Sequence, residues 1–295
     1  MMVAGHSFAK GKTQAKRMIV EWAAAGIRLN VGTERNAKQS LSLFADWLSS
    51  ERRGDLRTCE RQAAIEYLEQ RAEIIQQKAL DQDRQSLDRL MVYRGGQESL
   101  PRIQSERDRI LKGRAYTAEQ ARLIAAGQRS FHATTTELSF RCSIRAHEAY
   151  TLMRADEMAR SDRRSWRNDL FSGRDGVLYT VTGKGGLSRW ICVPHDLAAR
   201  LEERRLETPR QVTDRGVRYL QHYDIGAGQA WSQSVSSAAR RQLGWSNGAH
   251  GLRHSYAQER VKELQASGYG YRDAKEICSM ELGHFRSSVV EWYLR

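Results

Sequence analysis

The chain has 295 residues, of which 40% are hydrophobic and 28% are charged, which is enough for one large domain or two ordinary ones. It contains no apolar run near the roughly 18 residues that span a bilayer and no signal-peptide core, so we expect a soluble, cytoplasmic protein. The four cysteines are far apart and lack C-x-x-C spacing, which argues against a zinc site and a disulfide framework. The formal net charge of +13 favours a polyanionic partner such as nucleic acid.

The N-terminal part of the chain has the apolar periodicity of helices. Residues 1–32 begin as a polar, lysine-containing arm and include a first helix, which we place at about residues 16–25. Over residues 33–94, apolar side chains recur at helical spacing. This pattern predicts a small all-helical domain whose polar faces carry Lys38 and Arg84.

A change in composition separates this domain from the rest of the chain. The periodicity is lost over residues 95–115, which contain a Gly-Gly pair, a proline and several basic residues, as in a linker. A second domain should occupy residues 116–295, and TAEQ at Thr117 has the form of a helix capping box. Helices are expected to about residue 155, and the chain should return to helices from residue 196.

A short β-rich segment lies between these predicted helices. Val177, Tyr179 and Val181 alternate with other residues, GKGG interrupts the pattern, and apolar residues then resume, which predicts a β-hairpin with Lys184 at its tip. The segment is not a phosphate-binding P-loop, because this lysine leads into a strand. A lysine at a hairpin tip can serve solubility, or it can bring an ammonium group to a leaving oxygen.

The last part of the chain combines groups that suit phosphodiester chemistry. His250 and Arg253 are three residues apart, so on a helix they share one face and can bind one anion together. His284 follows, and Tyr293 lies nine residues later. These side chains could supply donors for phosphate oxygens and a hydroxyl nucleophile without a metal. Each taken singly is also consistent with helix capping or core packing.

A second pair of charged residues lies upstream, in RCSIRAHEAYTL. Arg145 and Glu148 are three apart on a predicted helix, so the carboxylate can orient the guanidinium or a neighbouring histidine. Taken alone, the pair is more simply interpreted as a surface ion pair of little energetic value.

Taken together, these motifs resemble the tyrosine recombinase family, the phage integrases and Xer-like site-specific recombinases. The family's motifs are R-x-x-E, a hairpin lysine often within G-K-G, H-x-L-R-H, L-G-H and a tyrosine about nine residues later. In this chain they are Arg145-Ala-His-Glu148, Gly183-Lys184-Gly185, His250-Gly-Leu-Arg253-His254, Leu282-Gly283-His284 and Tyr293. The resemblance covers roughly residues 140–295, and residues 203–232 match no part of the family pattern.

The resemblance implies a mainly α fold with a small β-sheet, made of a helical core-binding domain at residues 33–94 and a mixed α/β catalytic domain at residues 116–295. It implies double-stranded DNA as the substrate, held largely by phosphate contacts from basic residues, among which Arg84 and Lys38 are candidates. We expect a monomer or weak oligomer that assembles as a homotetramer on two DNA sites. We also expect accessory DNA-bending proteins, a location at the nucleoid, and no requirement for a cofactor or a metal.

The resemblance also implies a mechanism. Tyr293 would attack a backbone phosphate, forming a 3′-phosphotyrosyl bond and freeing a 5′-hydroxyl. Arg145 and Arg253 would hold the non-bridging oxygens as charge develops. His250 would accept the tyrosine proton or donate to the phosphate.

Three further residues would complete this chemistry. Lys184 would act as general acid on the departing 5′ oxygen, and His284 would donate another hydrogen bond. Glu148 would orient the histidine and arginine groups. Because the covalent link retains the phosphodiester energy, ATP is not required. A 5′-hydroxyl of the partner duplex would then attack the phosphotyrosine, as in the integration of a phage or mobile element.

Two other functions are consistent with the same residues. A type IB topoisomerase-like enzyme would use similar chemistry to relax a single duplex as a monomer. A catalytically silent relative would bind DNA without cutting it. Supercoil relaxation without recombination would favour the first, and the failure to form any covalent DNA adduct would favour the second.

Overall fold

A computed structural model describes residues 9–108, 112–183 and 185–295 of the chain. Internal contacts divide the chain into two units, Met1–Ile110 and Leu111–Arg295. The described part of the first unit is helical, with α1 (Gly11–Ala24), α2 (Val31–Ser50), α3 (Arg61–Ala72) and α4 (Gln77–Tyr93). The apolar faces of these helices form one core that includes Trp22, Leu41, Phe44, Leu68 and Leu87.

Helix α1 begins earlier than the predicted start near residue 16. The backbone N–H of Gly11 donates to Asp46 Oδ1 of α2 at 2.9 Å. A Cβ atom at Gly11 would lie 2.3 Å from the carbonyl oxygen of Ser42, so only glycine allows the two helices to approach this closely. The helix start therefore depends on a tertiary contact that periodicity cannot reveal.

The N-terminal part of the predicted linker, residues 95–115, packs against the first unit. Leu100 is buried in its core. The hydroxyl of Ser105 donates to the carbonyl oxygen of Ile75 at 2.6 Å. The chain that follows α4 is thus held by both apolar and polar contacts.

The second unit is mixed. Its helices are α5 (Ala118–Ala126), α6 (Ser130–Cys142), α7 (His195–Glu202), α8 (Gly228–Leu243), α9 (His250–Ala266) and α10 (Tyr271–Glu281). Its strands are β1 (Met153–Arg154), β2 (Val177–Thr182), β3 (Ser188–Val193), β4 (Arg205–Asp214) and β5 (Val217–Tyr223). Short 3₁₀ helices occupy Glu148–Tyr150 and Ser287–Trp292.

Two local predictions for this unit are confirmed. The predicted capping box is present at α5, since Thr117 Oγ1 accepts from the N–H of Gln120 and Gln120 Oε1 accepts from the N–H of Thr117. The predicted hairpin is also present, because β2 and β3 are antiparallel, with Thr182 opposite Ser188. Strand β1 joins β2 to complete a three-stranded sheet in the order β1-β2-β3.

The expectation that the chain returns to helices from residue 196 is wrong for part of its length. After α7, strands β4 and β5 form a second antiparallel hairpin, with Asp214 opposite Val217. The two-residue turn between them places Arg215 and Gly216 at positive φ, the conformation of a type I′ hairpin turn. Most β4 side chains are exposed, so the strand lacks the apolar alternation that reveals a buried strand.

The prediction that Arg145 and Glu148 lie on a helix is also wrong, as is the extension of helices to residue 155. Helix α6 ends at Cys142, and Ser143 adopts a left-handed conformation with φ of 60°. Arg145 lies in the turn that follows, and Glu148 begins a 3₁₀ helix. Within the ranges that the structure describes, no helix is long and apolar enough to cross a membrane.

Candidate active site

Tyr293 lies at the centre of the predicted site residues. It follows the 3₁₀ helix Ser287–Trp292 and is 5% exposed. Its hydroxyl is 3.1 Å from Nε2 of His284, and its ring lies 5.4 Å from the ring of His250, measured between centroids. The guanidinium carbon of Arg253 is 6.0 Å from the centroid of the same ring. The structure thus brings four of the predicted residues together in a single chain.

Arg145 connects this cluster to Glu148. Its Nη1 donates to Glu148 Oε1 at 2.5 Å, and its backbone N–H donates to Oε2 at 2.9 Å. Its Nη2 donates to the carbonyl oxygen of Leu282 at 2.9 Å and lies 3.1 Å from Nε2 of His284. The Arg145 side chain keeps 21% of its surface exposed whereas that of Glu148 is fully buried. The pair is therefore a buried ion pair with an accessible guanidinium, and not the surface pair that the spacing alone suggests.

The contact between Arg145 and His284 defines the state of the imidazole. A guanidinium can only donate hydrogen bonds, so Nε2 of His284 acts as the acceptor and the ring carries its proton on Nδ1. The Tyr293 hydroxyl lies 3.1 Å from the same nitrogen, so it and Arg145 compete for a single lone pair. When the Arg145 guanidinium bonds to an anion instead, this nitrogen can accept from the Tyr293 hydroxyl.

Arg253 lies deeper than Arg145. It is 1% exposed, its Nη1 donates to the carbonyl oxygen of Ser143, and its Nη2 donates to that of Leu282 at 3.0 Å. Burial and the charge of Arg145 lower the pKa of Arg253 to about 10, which leaves it charged at pH 7. Arg145 and Arg253 share the carbonyl oxygen of Leu282, so the two guanidiniums lie side by side, as a site for one anion requires.

The histidines around Tyr293 have lowered pKa values. Burial lowers the pKa of His284 to about 4, and the charges of Arg145 and Arg253 act in the same direction. Burial and the charge of Arg114 lower the pKa of His254 to about 4. Burial, and then the charge of Arg253, lower the pKa of His250, which is the first residue of α9. Burial and the neighbouring arginines thus favour the neutral form of all three imidazoles, in which one ring nitrogen can accept a hydrogen bond.

Lys184, the predicted general acid, lies outside the described residues. The chain on either side of it continues from β2 and into β3. Arg163 Nη2 donates to the carbonyl oxygens of Gly185 and Gly186, so a loop of the same unit holds the tip of this hairpin.

The two predicted DNA contacts belong to the first unit. Arg84 lies on α4, where its Nη1 donates to Asp88 Oδ2 at 2.8 Å and to the carbonyl oxygen of Leu100 at 3.2 Å. Lys38 lies on α2 and is partly exposed. The guanidinium of Arg84 is thus already partnered within the chain.

Two residues of the cluster were not among the predicted site residues. His254 packs against Tyr293 with 4.8 Å between ring centroids and could have been identified from the final histidine of H-x-L-R-H. Arg189 on β3 donates to Glu148 Oε2 at 2.8 Å, and an arginine three residues after G-K-G-G gives no separate signal. Among the described residues, no group of three or more His, Cys, Asp and Glu side chains could hold a metal ion.

Comparison with known proteins identifies the fold. No protein-family model matches the chain, and no curated protein matches it. Among solved structures, a lambda integrase dimer bound to a COC′ core site is 13% identical, with 96% of this chain and 94% of that chain covered and a TM-score of 0.57. The XerH site-specific recombinase bound to difH substrate in a pre-cleavage complex is 16% identical, with 96% of this chain and 81% of that chain covered and a TM-score of 0.56.

A third similar structure extends over both units. The Tn1549 transposon integrase in complex with transposon right end DNA is 11% identical, with 97% of this chain and 95% of that chain covered and a TM-score of 0.53. The mainly α architecture with small antiparallel sheets agrees with these structures. The chain therefore has the two-domain fold of the tyrosine recombinases.

Proposed function

We propose that the chain is a site-specific DNA recombinase that cuts and rejoins duplex DNA through a 3′-phosphotyrosyl intermediate. The observation that carries this proposal is the position of Tyr293, whose hydroxyl is 3.1 Å from a neutral histidine and whose ring lies beside a buried arginine. A nucleophile, a proton acceptor and two guanidiniums for an anion meet in one site. The net charge of +13 suits a DNA substrate.

The first step transfers a phosphoryl group from DNA to the protein. Oη of Tyr293 forms a bond to the backbone phosphorus as the bond from phosphorus to the 5′ oxygen breaks. Arg145 and Arg253 neutralise the non-bridging oxygens as negative charge develops. Of the two candidate proton acceptors, the hydrogen bond favours Nε2 of His284 over His250.

The second step reverses the first with a different nucleophile. The 5′-hydroxyl of a partner strand attacks the phosphotyrosine, and the tyrosine oxygen takes back a proton as it leaves. The hairpin that bears Lys184 would supply the proton for the departing 5′ oxygen in the first step. The number of phosphodiester bonds is unchanged over the two steps, so no ATP is consumed.

The two units would have different functions in the reaction. We assign DNA binding to the helical unit, with Lys38 and Arg84 as contacts, and cleavage to the unit that contains Tyr293. Assembly as a homotetramer on two DNA sites is part of the proposal, with accessory DNA-bending proteins and action at the nucleoid. A solved lambda integrase with this fold forms a tetramer bound to a Holliday junction.

A covalent capture experiment tests this function. The protein is incubated with a pool of nicked duplexes with randomised cores, and DNA that stays attached to protein in denaturant is recovered and sequenced. We expect an adduct that the Tyr293→Phe variant does not form and that the Tyr269→Phe control retains. Recovery of enriched sequences would also identify the DNA site.

Three results would contradict the proposal. An adduct that persists in Tyr293→Phe would assign the nucleophile to another residue. DNA binding without an adduct on any member of the pool would favour a catalytically silent DNA-binding protein. Relaxation of supercoiled DNA without recombination between two captured sites would favour the topoisomerase-like alternative.

A further inference from the structure

Arg189 is a buried arginine at the base of the candidate site. It lies on β3 and is 1% exposed. Its Nη2 donates to Glu148 Oε2 at 2.8 Å and to the carbonyl oxygen of Ser143 at 2.9 Å, and its Nη1 donates to that of Glu281 at 2.6 Å. A side chain with these contacts cannot reach a DNA phosphate, so any role in the reaction must act through its neighbours.

Those neighbours are the groups that hold the two anion-binding arginines. Glu148 uses Oε1 for the Arg145 guanidinium and shares Oε2 between the Arg145 backbone and Arg189. The carbonyl oxygen of Ser143 accepts from both Arg189 and Arg253. Arg189 therefore holds in place Glu148, which accepts from the Arg145 guanidinium, and the carbonyl oxygen of Ser143, which accepts from Arg253.

The charges in this cluster make the role of Arg189 more than structural packing. A fully buried carboxylate such as Glu148 loses hydration, which raises its pKa, but Arg189 and then Arg145 oppose this effect and keep the pKa of Glu148 well below its usual range. An ionised Glu148 has acceptors for all three N–H donors that face it, whereas a protonated one would place an O–H against them. Without Arg189, the burial of this carboxylate would be offset only by Arg145 and Arg253, the two guanidiniums that also bind the substrate phosphate in the proposed reaction.

Two motif glycines leave the space that this arrangement needs. A Cβ atom at Gly283, which has φ of +75°, would lie 2.9 Å from Cδ of Arg189. A Cβ atom at Gly183 would lie 3.1 Å from Oε1 of Glu148. The glycines of L-G-H and G-K-G thus border the Arg145, Glu148 and Arg189 cluster from two elements.

We infer that Arg189 is a positioning residue for phosphoryl transfer: it holds Glu148 and the carbonyl oxygen of Ser143 so that Arg145 and Arg253 present their guanidiniums to one phosphate. This inference rests on the proposed function. Loss of Arg189 should reduce cleavage without an equal loss of DNA binding, because its bonds lie below the anion site and do not face it.

The test compares Arg189→Gln and Arg189→Lys with the wild type on a captured nicked duplex. DNA affinity and the single-turnover rate of adduct formation are measured between about pH 5 and pH 8. We expect Arg189→Gln to bind DNA within about twofold of wild type and to form the adduct about 100-fold more slowly. Arg189→Lys keeps the positive charge but loses the planar set of guanidinium donors. Its rate of adduct formation should therefore lie between those of the wild type and Arg189→Gln.

The pH profile separates positioning from simple destabilisation. In Arg189→Gln the pKa of Glu148 should rise, so the rate should gain an acid limb and increase with pH as this carboxylate ionises. Arg174→Gln removes another largely buried arginine that pairs with Glu263, and it should lower thermal stability without adding this limb. A profile of Arg189→Gln that matches the wild type, or a rate loss no larger than that of Arg174→Gln, would overturn the inference.

A measurement without cleavage keeps the two proposals separate. The pKa of Glu148 can be followed by carbon-13 NMR of labelled full-length protein, and it should rise in Arg189→Gln and much less in Arg189→Lys. If the wild type forms no adduct while this shift is seen, the proposed function fails and the coupling of Arg189 to Glu148 stands. If Arg189→Gln does not fold, an unchanged Glu148 pKa and rate in Arg189→Lys would count against the inference.

Discussion

Gly283 shows how tightly a single position in the site is constrained. Its φ of +75° disfavours any residue with a side chain, and an added Cβ would also meet Arg189 at 2.9 Å. We expect Gly283→Ala to destabilise the protein by about 2–3 kcal/mol and to slow adduct formation. Urea unfolding and single-turnover cleavage measure the two effects.

The matched control is Gly268→Ala. Gly268 has φ of +92°, but an added Cβ would meet no atom within 4 Å. Gly268→Ala should therefore lower the free energy of unfolding only by the backbone strain, about 1 kcal/mol, and leave the cleavage rate unchanged. Equal losses of stability and rate in both variants would mean that the contact with Arg189 is unimportant.

Residues of the site could be predicted from the sequence when their signal is local. Arg253, His284 and Tyr293 fall in short motifs with fixed spacing, and the structure places them together. The position of Arg189 could not be predicted, because its acceptors are Glu148, Ser143 and Glu281, which are 41, 46 and 92 positions away. A single arginine in a strand contains no information about such distant partners.

The same distinction holds for whole elements. The capping box of α5 lies within four consecutive residues and was predicted from them. The β4–β5 hairpin was missed because its strands are largely exposed, although the Asp214-Arg215-Gly216 sequence at the turn was a usable signal. The turn that contains Arg145 was missed because Ser143, which is not glycine, ends α6 in a left-handed conformation.

The C-terminal element that bears Tyr293 is held by α9. Gln258 Nε2 donates to the carbonyl oxygens of Tyr293 and Arg295 at 3.1 and 3.0 Å. Because a typical hydrogen bond contributes about 1 kcal/mol, we expect Gln258→Ala to raise amide exchange in residues 290–295 roughly fivefold. Adduct formation should slow by a similar factor, since the nucleophile is held less often in its reactive position.

Gln265→Ala is the matched control for this prediction. Gln265 lies on the same helix but is exposed. Its replacement should change neither amide exchange at the C-terminus nor the cleavage rate. If Gln258→Ala behaves like Gln265→Ala, the docking of Tyr293 depends on its apolar packing instead of this hydrogen bond.

For the molecule as a whole, composition favours a class of partner but contains no information about geometry. The net charge of +13 indicated a polyanion before any motif was considered. The sequence predicts the boundary between the two units only approximately. Leu100 and Ser105 pack on the first unit, although the composition around them is typical of a linker. Charge and composition average over the chain, whereas a unit boundary depends on individual contacts.

The source of the nucleophile is a question at the scale of the assembly. Tyr293 bonds to His284 of its own chain and lies beside its own Arg253, so we expect each copy to cleave DNA with its own tyrosine. Mixing Tyr293→Phe with Arg145→Ala on the captured duplex should then yield no adduct, because every site lacks one essential group. Wild type mixed with Arg145→Ala, with the two chains tagged to differ in size, should give an adduct on the wild-type chain alone. An adduct on the Arg145→Ala chain in either mixture would show that the tyrosine is delivered to a neighbouring copy, which requires the contacts of Gln258 and His284 to break before cleavage.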